Sequence, residues 1–178
     1  MNPFEELRIM MDEADLWQQK FTASRGELLV SKGDRSTDLF WIKSGSVRVY
    51  LLDDEREHTI RFGYNGSFIT ALDSFITGNP TSLWIEILRK AEIWKVDKST
   101  FDKFIQAKPE RLTRWLTLVE HLTFQQFERE LDLLTSSPAK RFQRVLNRSP
   151  RVFQEIPHKY IASYLRMTPE TLSRLQKS

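Results

Sequence analysis

A chain of 178 residues can form one packed domain, or a domain with a small appendage, and 40% hydrophobic with 29% charged residues is a folded, globular composition. The absence of cysteine excludes disulfides, a Cys-ligated iron–sulfur cluster and Cys-based zinc, and suits a reducing cytoplasm. The net charge of +3 is unevenly spread: from Ser137 to Ser178 nine basic residues face only Glu155 and Glu170, a local balance of +7 that leaves −4 for the other 136 residues. A basic end on an acidic body fits a polyanionic partner bound by counterion release, and fits equally a solvated basic helix surface.

The opening stretch, MNPFEELRIMMDEADLWQQKF, is amphipathic and acidic, with neither the basic start nor the apolar core of a secretory signal. No run approaches the roughly 18 apolar residues that span a bilayer. A cytoplasmic protein with no membrane partner is therefore expected. Residues 3–20 read as one or two short helices with Leu7, Ile9, Met10, Met11, Leu16 and Trp17 packed.

From about Phe21 the period changes. Segments 27–31, 39–42, 46–52, 58–62 and 83–96 are rich in β-branched and aromatic residues. Turn residues bound them: Lys32-Gly33-Asp34, Ser44-Gly45, Asp53-Asp54, Asn65-Gly66 and Gly78-Asn79-Pro80. Closely spaced strands with no helices between them predict an antiparallel barrel or sandwich-like roll.

Helical periodicity resumes near Asp97, with Asp97 or Ser99 as cap and Phe101, Phe104 and Ile105 as the apolar face. Pro109 then opens a longer helix to about Leu134, since proline is tolerated at the first helical position. Its apolar residues, including Leu112, Leu116, Val119, Leu122 and Phe127, occupy more than one stripe of the wheel. One side can face the roll, and the other a second copy across a two-fold axis; a single helix buried in one core is the alternative. Ser136-Ser137-Pro138 ends this helix and starts another over about 139–147, so a boundary is expected near 135–138.

The last residues carry the most specific pattern. Residues 160–165 form a short helix with Ile161 and Leu165 inward and Ala162 small enough for a close crossing. Arg166 and Met167 make a tight turn, Thr168 caps, Pro169 takes the first helical position and Glu170 favours the positive helix end. Leu172 and Leu175 point back to the core, while Thr171, Ser173, Arg174 and Lys177 lie on other faces. This is a helix-turn-helix pattern whose second helix would enter the major groove of double-stranded DNA. An ordinary helical hairpin remains the other reading, and Arg166 stands at the turn position that glycine often fills.

The whole arrangement resembles the Crp/Fnr family of cyclic-AMP-receptor-like transcription regulators. The resemblance rests on Tyr160-Ile-Ala-Ser-Tyr-Leu followed by Thr168-Pro-Glu-Thr-Leu-Ser-Arg174, and on Gly33-Asp34 with residues 38–49 in the roll. It implies an α+β fold. Residues 1–108 would be a cyclic-nucleotide-binding-type antiparallel, jelly-roll-like β-roll with flanking helices, 109–135 a long dimerisation helix, and 136–178 a truncated helix-turn-helix DNA-binding domain. It implies a homodimer, with RNA polymerase and an unidentified small-molecule effector as further partners. It places DNA contacts at Lys159, Thr168, Glu170, Thr171, Ser173, Arg174 and Lys177, with Glu170 and Arg174 on base-contacting positions. The ligand cassette falls on Phe68, Thr70, Ala71, Leu72, Thr81 and Ser82. There Ala71 replaces the family's ribose-binding Glu and Thr81 its phosphate-binding Arg, so cyclic AMP is not the expected effector. The sequence stops a few residues past the recognition helix, so the family's β-wing is expected to be missing and DNA affinity modest.

Other chemistries fit less well. His58, His121 and His158 lie in three different elements and make no metal-ligand pattern, and neither a Walker-type phosphate loop nor a Gly-x-Ser-x-Gly elbow occurs. No cofactor, metal or enzymatic activity is expected. Asp53-Asp54-Glu55 reads as a solvated turn, and Phe40, Trp41, Trp84 and Trp94 as core. The alternative function is a ligand- or partner-binding module whose helix-turn-helix does not grip DNA.

Overall fold

The computed structural model describes residues 2–177; Met1 and Ser178, at the two ends of the expected domains, lie outside the described residues. Helix α1 (Pro3–Glu13) starts where the Asn2 side chain accepts the Phe4 N–H at 3.0 Å, and it buries Phe4, Leu7 and Met11. Six strands follow: β1 (Gln19–Ala23), β2 (Leu28–Val30), β3 (Asp38–Asp53), β4 (Arg56–Tyr64), β5 (Ser67–Ile69) and β6 (Trp84–Asp97). The order β1-β6-β3-β4 makes an antiparallel sheet, with β2 paired to β6 and β5 to β3.

The Ser44-Gly45 pair, expected as a turn, lies inside the 16-residue β3. Pairing with β6 shifts register on both sides of it, and Gly45 has φ +82°. A Cβ there would come within 2.3 Å of the Lys90 carbonyl, so only glycine lets β3 bend across β6 without breaking the ladder. The acidic turn reads as expected: Asp54 and Glu55 both have positive φ, at +41° and +65°, in the two-residue loop joining β3 to β4.

Helix α2 (Leu72–Thr77), absent from the sequence reading, sits between β5 and β6 and ends at Gly78 in the left-handed region. Asp97 caps α3 (Lys98–Gln106), accepting the Thr100 N–H at 2.8 Å. Helix α4 (Pro109–Leu134) has the expected bounds. Its inner side packs on α1 and α3 as well as the roll, joining a core of Leu7, Met11, Trp41, Phe68, Phe101 and Leu118. Trp115 and Leu122 lean on the same core. Leu122, expected on the dimer face, therefore belongs to the inner side. The opposite side leaves Leu112, Leu116, Phe124, Phe127 and Leu134 exposed, from 43% to 74%.

Ser137 caps α5 (Pro138–Arg148). A one-turn helix, α6 (Val152–Glu155), and the pair α7 (His158–Tyr164) and α8 (Pro169–Lys177) complete the chain. Phe142, Val145, Ile161, Leu165 and Leu172 form their own core, which also takes in Phe62 and Leu88 from the roll.

Candidate nucleic-acid interface and ligand cassette

The two last helices are joined by the four residues 165–168. Ile161, Leu165 and Leu172 are at most 1% exposed, and Ala162 is buried beneath the crossing. Arg166 takes φ +50°, the left-handed turn angle that the sequence left to a non-glycine residue. Buried Arg141 of α5 holds the turn: its Nε donates to the Leu165 carbonyl (2.7 Å), Nη1 to Thr135 (2.5 Å) and Nη2 to Arg166 (3.2 Å). A guanidinium is suited to this because its donors fan out in a rigid plane. The cost of a left-handed arginine is thus met by satisfying the carbonyls that the ended helix leaves unpaired.

Thr168 accepts the Thr171 N–H at 3.2 Å, the expected N-cap contact. The Glu170 carboxyl is held below its ordinary value by its own backbone N–H and by the Thr168 hydroxyl. Glu170, Ser173, Arg174 and Lys177 line one open depression on the outer side of α8, which His158 closes from α7. His158 Nε2 lies 2.6 Å from Gln176 Oε1, a contact that no sequence signal announced. Thr171 is half-buried. Lys159 is exposed on α7 with its ammonium 4.5 Å from the Tyr160 ring, apart from the α8 depression.

This unit rests on the roll through a charged pivot. Arg48 of β3 is buried, paired with Glu57 (2.7 Å) and Glu86 (2.6 Å), and its guanidinium lies 4.3 Å from the Tyr160 ring. Burial lowers its pKa, but the hydrogen bonds from Glu57 and Glu86 more than offset this and raise it overall. Ser163 of α7 donates to the Glu57 carbonyl at 3.2 Å, and Ser46 of β3 to that of Glu155 at 3.3 Å.

The expected ligand cassette divides. Phe68 is buried in the core beneath α1, 4.8 Å from Trp41, and Leu72 points to solvent, so neither belongs to a pocket in the roll. The Thr70 hydroxyl donates to the Asp38 carbonyl at 2.9 Å. Thr81 and Ser82 do converge, around a residue that the sequence reading passed over. The Asp73 carboxylate accepts from Thr81 Oγ1 (2.6 Å), the Ser82 N–H (2.8 Å), Ser82 Oγ (2.9 Å) and the Ser74 N–H (2.8 Å). Burial pushes this carboxyl up, yet those donors outweigh it and hold it below the usual carboxylate range. The donors that a cyclic phosphate would need already face a carboxylate, and no cation accompanies them in the segment. Ala71, fully buried among Val49, Ile69 and Ile85, offers no acceptor to a ribose hydroxyl. These residues do not fit a cyclic nucleotide.

Comparison with known proteins agrees on the architecture. Residues 20–108, half of the chain, match the cyclic nucleotide-binding domain, and the chain belongs to that family. Its form is the Crp/Fnr-like one, an antiparallel roll with a long helix and a C-terminal helix-turn-helix. It is 30% identical to the cAMP-activated global transcriptional regulator CRP of Salmonella typhimurium over 87 residues, 48% of this chain and 41% of that protein. It is also 30% identical to lysophospholipase NTE1 of Cryptococcus neoformans over 114 residues, 64% of this chain and 7% of that protein. The solved structure of FixK2 from Bradyrhizobium japonicum superposes with a TM-score of 0.76 at 18% identity, over 89% of this chain and 82% of that one. In sequence, the match spans less than half of the regulator and a small fraction of the lysophospholipase.

Among the described residues no group of three or more His, Cys, Asp or Glu could hold a metal ion, and no helix is long and apolar enough to cross a membrane.

Proposed function

We propose that the chain is a DNA-binding transcriptional regulator that works as a homodimer, with residues 109–135 as the dimer helix and 136–178 as the reading unit. The observation that carries this is the division of α8. Leu172 anchors it fully buried, while Glu170, Ser173, Arg174 and Lys177 share one open outer surface. Residues held rigidly from behind and free in front are what base readout requires. The outer apolar side of α4, with Leu112, Leu116 and Phe127 exposed and Val119 half-buried beside them, supplies the two-fold seam, and two reading helices would then meet half-sites about one helical turn apart. RNA polymerase is the further partner that such a regulator would contact in the cytoplasm. Cyclic AMP is not its effector, because Asp73 occupies the donors and Thr81 replaces the cation. The lysophospholipase match covers too little of that enzyme to carry an activity. Titration of labelled duplex DNA at two salt concentrations, after selection from random sequence, tests the reading. A steep salt slope with sequence preference supports it; no binding at low salt moves the chain to a partner-binding module.

A further inference from the structure

The roll, α4 and the C-terminal helices line a partly open cavity of about 250 Å³ whose lining includes Arg61, Arg129, Arg148 and Arg151 and no carboxylate. Arg129 is 94% buried, being 6% exposed. Its guanidinium stacks 3.6 Å from the Tyr164 ring, and Nη1 has no hydrogen-bond partner among the described residues. Arg61, half-buried on β4 and lining the same cavity, donates to the neutral Gln125 side chain at 3.1 Å, and burial pushes its pKa down. The nearest acids on α4 are committed elsewhere. Asp132 pairs with Arg144 and Arg148, and Glu128 with the same two arginines, so two acids balance two bases. Arg151, at the mouth, pairs with Glu155. Asp132 also acts on Arg129 through its field, but neither Arg129, buried, nor Arg61, half-buried, forms an ion pair, so the three bases around the two acids and Arg61 beyond them leave positive charge in excess at the cavity. An isolated buried charge is costly, and a guanidinium cannot escape by giving up its proton.

We propose that this cavity binds a small multivalent oxyanion, a phosphate-bearing metabolite of few heavy atoms, between Arg61 and Arg129. Two planar forks, one from β4 and one from α4, line this cavity and match the bidentate geometry of phosphate or carboxylate oxygens. Tyr64, Tyr164 and Gln125 share the lining. The neighbouring cavity, on the other side of Ile60, Gln126 and Arg129, includes Asp53 in its wall and is the poorer place for an anion. The site is distinct from the Asp73 cassette, which is already supplied with an anion of its own chain. Its walls come from β4, α4, α5 and α7, so an anion there would tie the reading unit to the roll. That consequence rests on the regulator reading; the binding itself does not.

Calorimetric titration of the full chain with inorganic pyrophosphate, and separately with citrate, at constant ionic strength and without DNA tests the site. Pyrophosphate is expected to bind saturably with a Kd below about 1 mM, and Arg61→Gln and Arg129→Gln each to weaken it about tenfold or more. Because Arg129→Gln also removes a buried ring contact, Arg61→Lys provides a second variant. It keeps the charge but loses the fork, and should weaken pyrophosphate several-fold with the melting temperature in chloride unchanged. Saturable citrate binding that is lost in the same variants, with pyrophosphate excluded, assigns the anion to the polycarboxylates and supports the site. Failure of both anions to bind saturably below about 10 mM, or wild-type binding in both Arg61 variants, overturns the proposal. DNA binding measured in chloride salt without pyrophosphate or citrate is independent of either result, so the two readings fail separately.

Discussion

Two regions of this molecule bury polar groups and solve the problem in opposite ways. In the roll, one carboxylate, Asp73, gathers four neutral donors and needs no cation. At the junction with the C-terminal helices the buried polar groups are arginines. Arg48 is matched by Glu57 and Glu86, Arg141 by backbone carbonyls, and Arg129 by the Tyr164 ring and the field of Asp132 without an ion pair. The roll is closed by its own chemistry, whereas the junction is closed for every arginine except Arg61 and Arg129. The donors of the roll are thus taken by its own carboxylate, while the excess positive charge lies where the roll meets the C-terminal helices.

The strongest test of the junction is Arg141→Ala. It leaves the carbonyls of Leu165, Arg166 and Thr135 without their donor beneath a left-handed turn. Charge-assisted hydrogen bonds of this kind contribute about 1.5–3 kcal/mol each, so the loss of three is expected to cost the C-terminal unit about 4.5 kcal/mol or more. Hydrogen exchange should show α7 and α8 opening while β3 and β6 stay protected; uniform loss across both regions would mean that they do not differ in this way.

The seam on α4 follows in size. Leu116 is 52% exposed, next to Leu112 and Val119 along the outer stripe. Leu116→Glu places a charge in an apolar contact, and should raise the dimer dissociation constant about a hundredfold, roughly 3 kcal/mol, by sedimentation. The folded monomer should keep its melting profile, because the inner side with Leu118 is untouched. Leu122→Glu should do the reverse and unfold the protein, since Leu122 packs inward.

Asp73→Ala is the matching test on the roll. It releases Thr81, Ser82 and the N–H of Ser74, at an expected cost of about 2 kcal/mol, reduced from the sum of its bonds by partial exposure. Because the folded carboxyl titrates below its unfolded value, its contribution is present above about pH 4 and is lost as pH falls through the lowered value. The wild type should therefore lose stability on acidification below pH 4 more steeply than the variant, by urea melts at a series of pH values. If the variant instead gained micromolar affinity for cyclic AMP, Asp73 would be a plug rather than a strut.

How much of this was legible in the sequence depended on whether local chemistry or packing decides. The bounds of α4 could be read because Pro109 and the Ser136-Ser137-Pro138 segment fix them locally, and Asp97 and Thr168 cap as their side chains dictate. Strand β1, with the sequence Gln19-Lys-Phe-Thr-Ala23, was missed because four of its residues are at least partly exposed and its alternation is weak. Gly45 reads as a turn in sequence and acts as a bend inside β3, because only the approach of Lys90 and Ala91 reveals the difference. The ring of donors on Asp73 joins residues eight and nine apart across a loop, and Arg129 lies on a stripe that continues the buried face with a charge. Neither has a periodicity to betray it. The outer face of α8 could be read because its anchors Leu172 and Leu175 declare the opposite side.

The smallest effects concern that outer face, where basic residues are free rather than buried. Arg174→Ala should remove a base contact, weaken the preferred sequence by about 1–2 kcal/mol and relax preference at one base pair of each half-site. Lys159 stands on α7, outside the depression that holds Glu170 and Arg174. Its ammonium can meet a phosphate but not a base edge, so Lys159→Ala should cost less than about 1 kcal/mol, on all sequences alike, and reduce the salt slope by about one per subunit. The two substitutions therefore separate in kind as well as in size: one changes which sequence is bound, the other how binding responds to salt. Both side chains are exposed and neither touches the Arg141 staple, so circular dichroism should be unchanged in each. Binding that keeps its affinity, preference and salt slope through both substitutions would place the reader elsewhere. The free basic surface of α8 would then be a docking face for another protein, and the divided helix would serve assembly instead of readout.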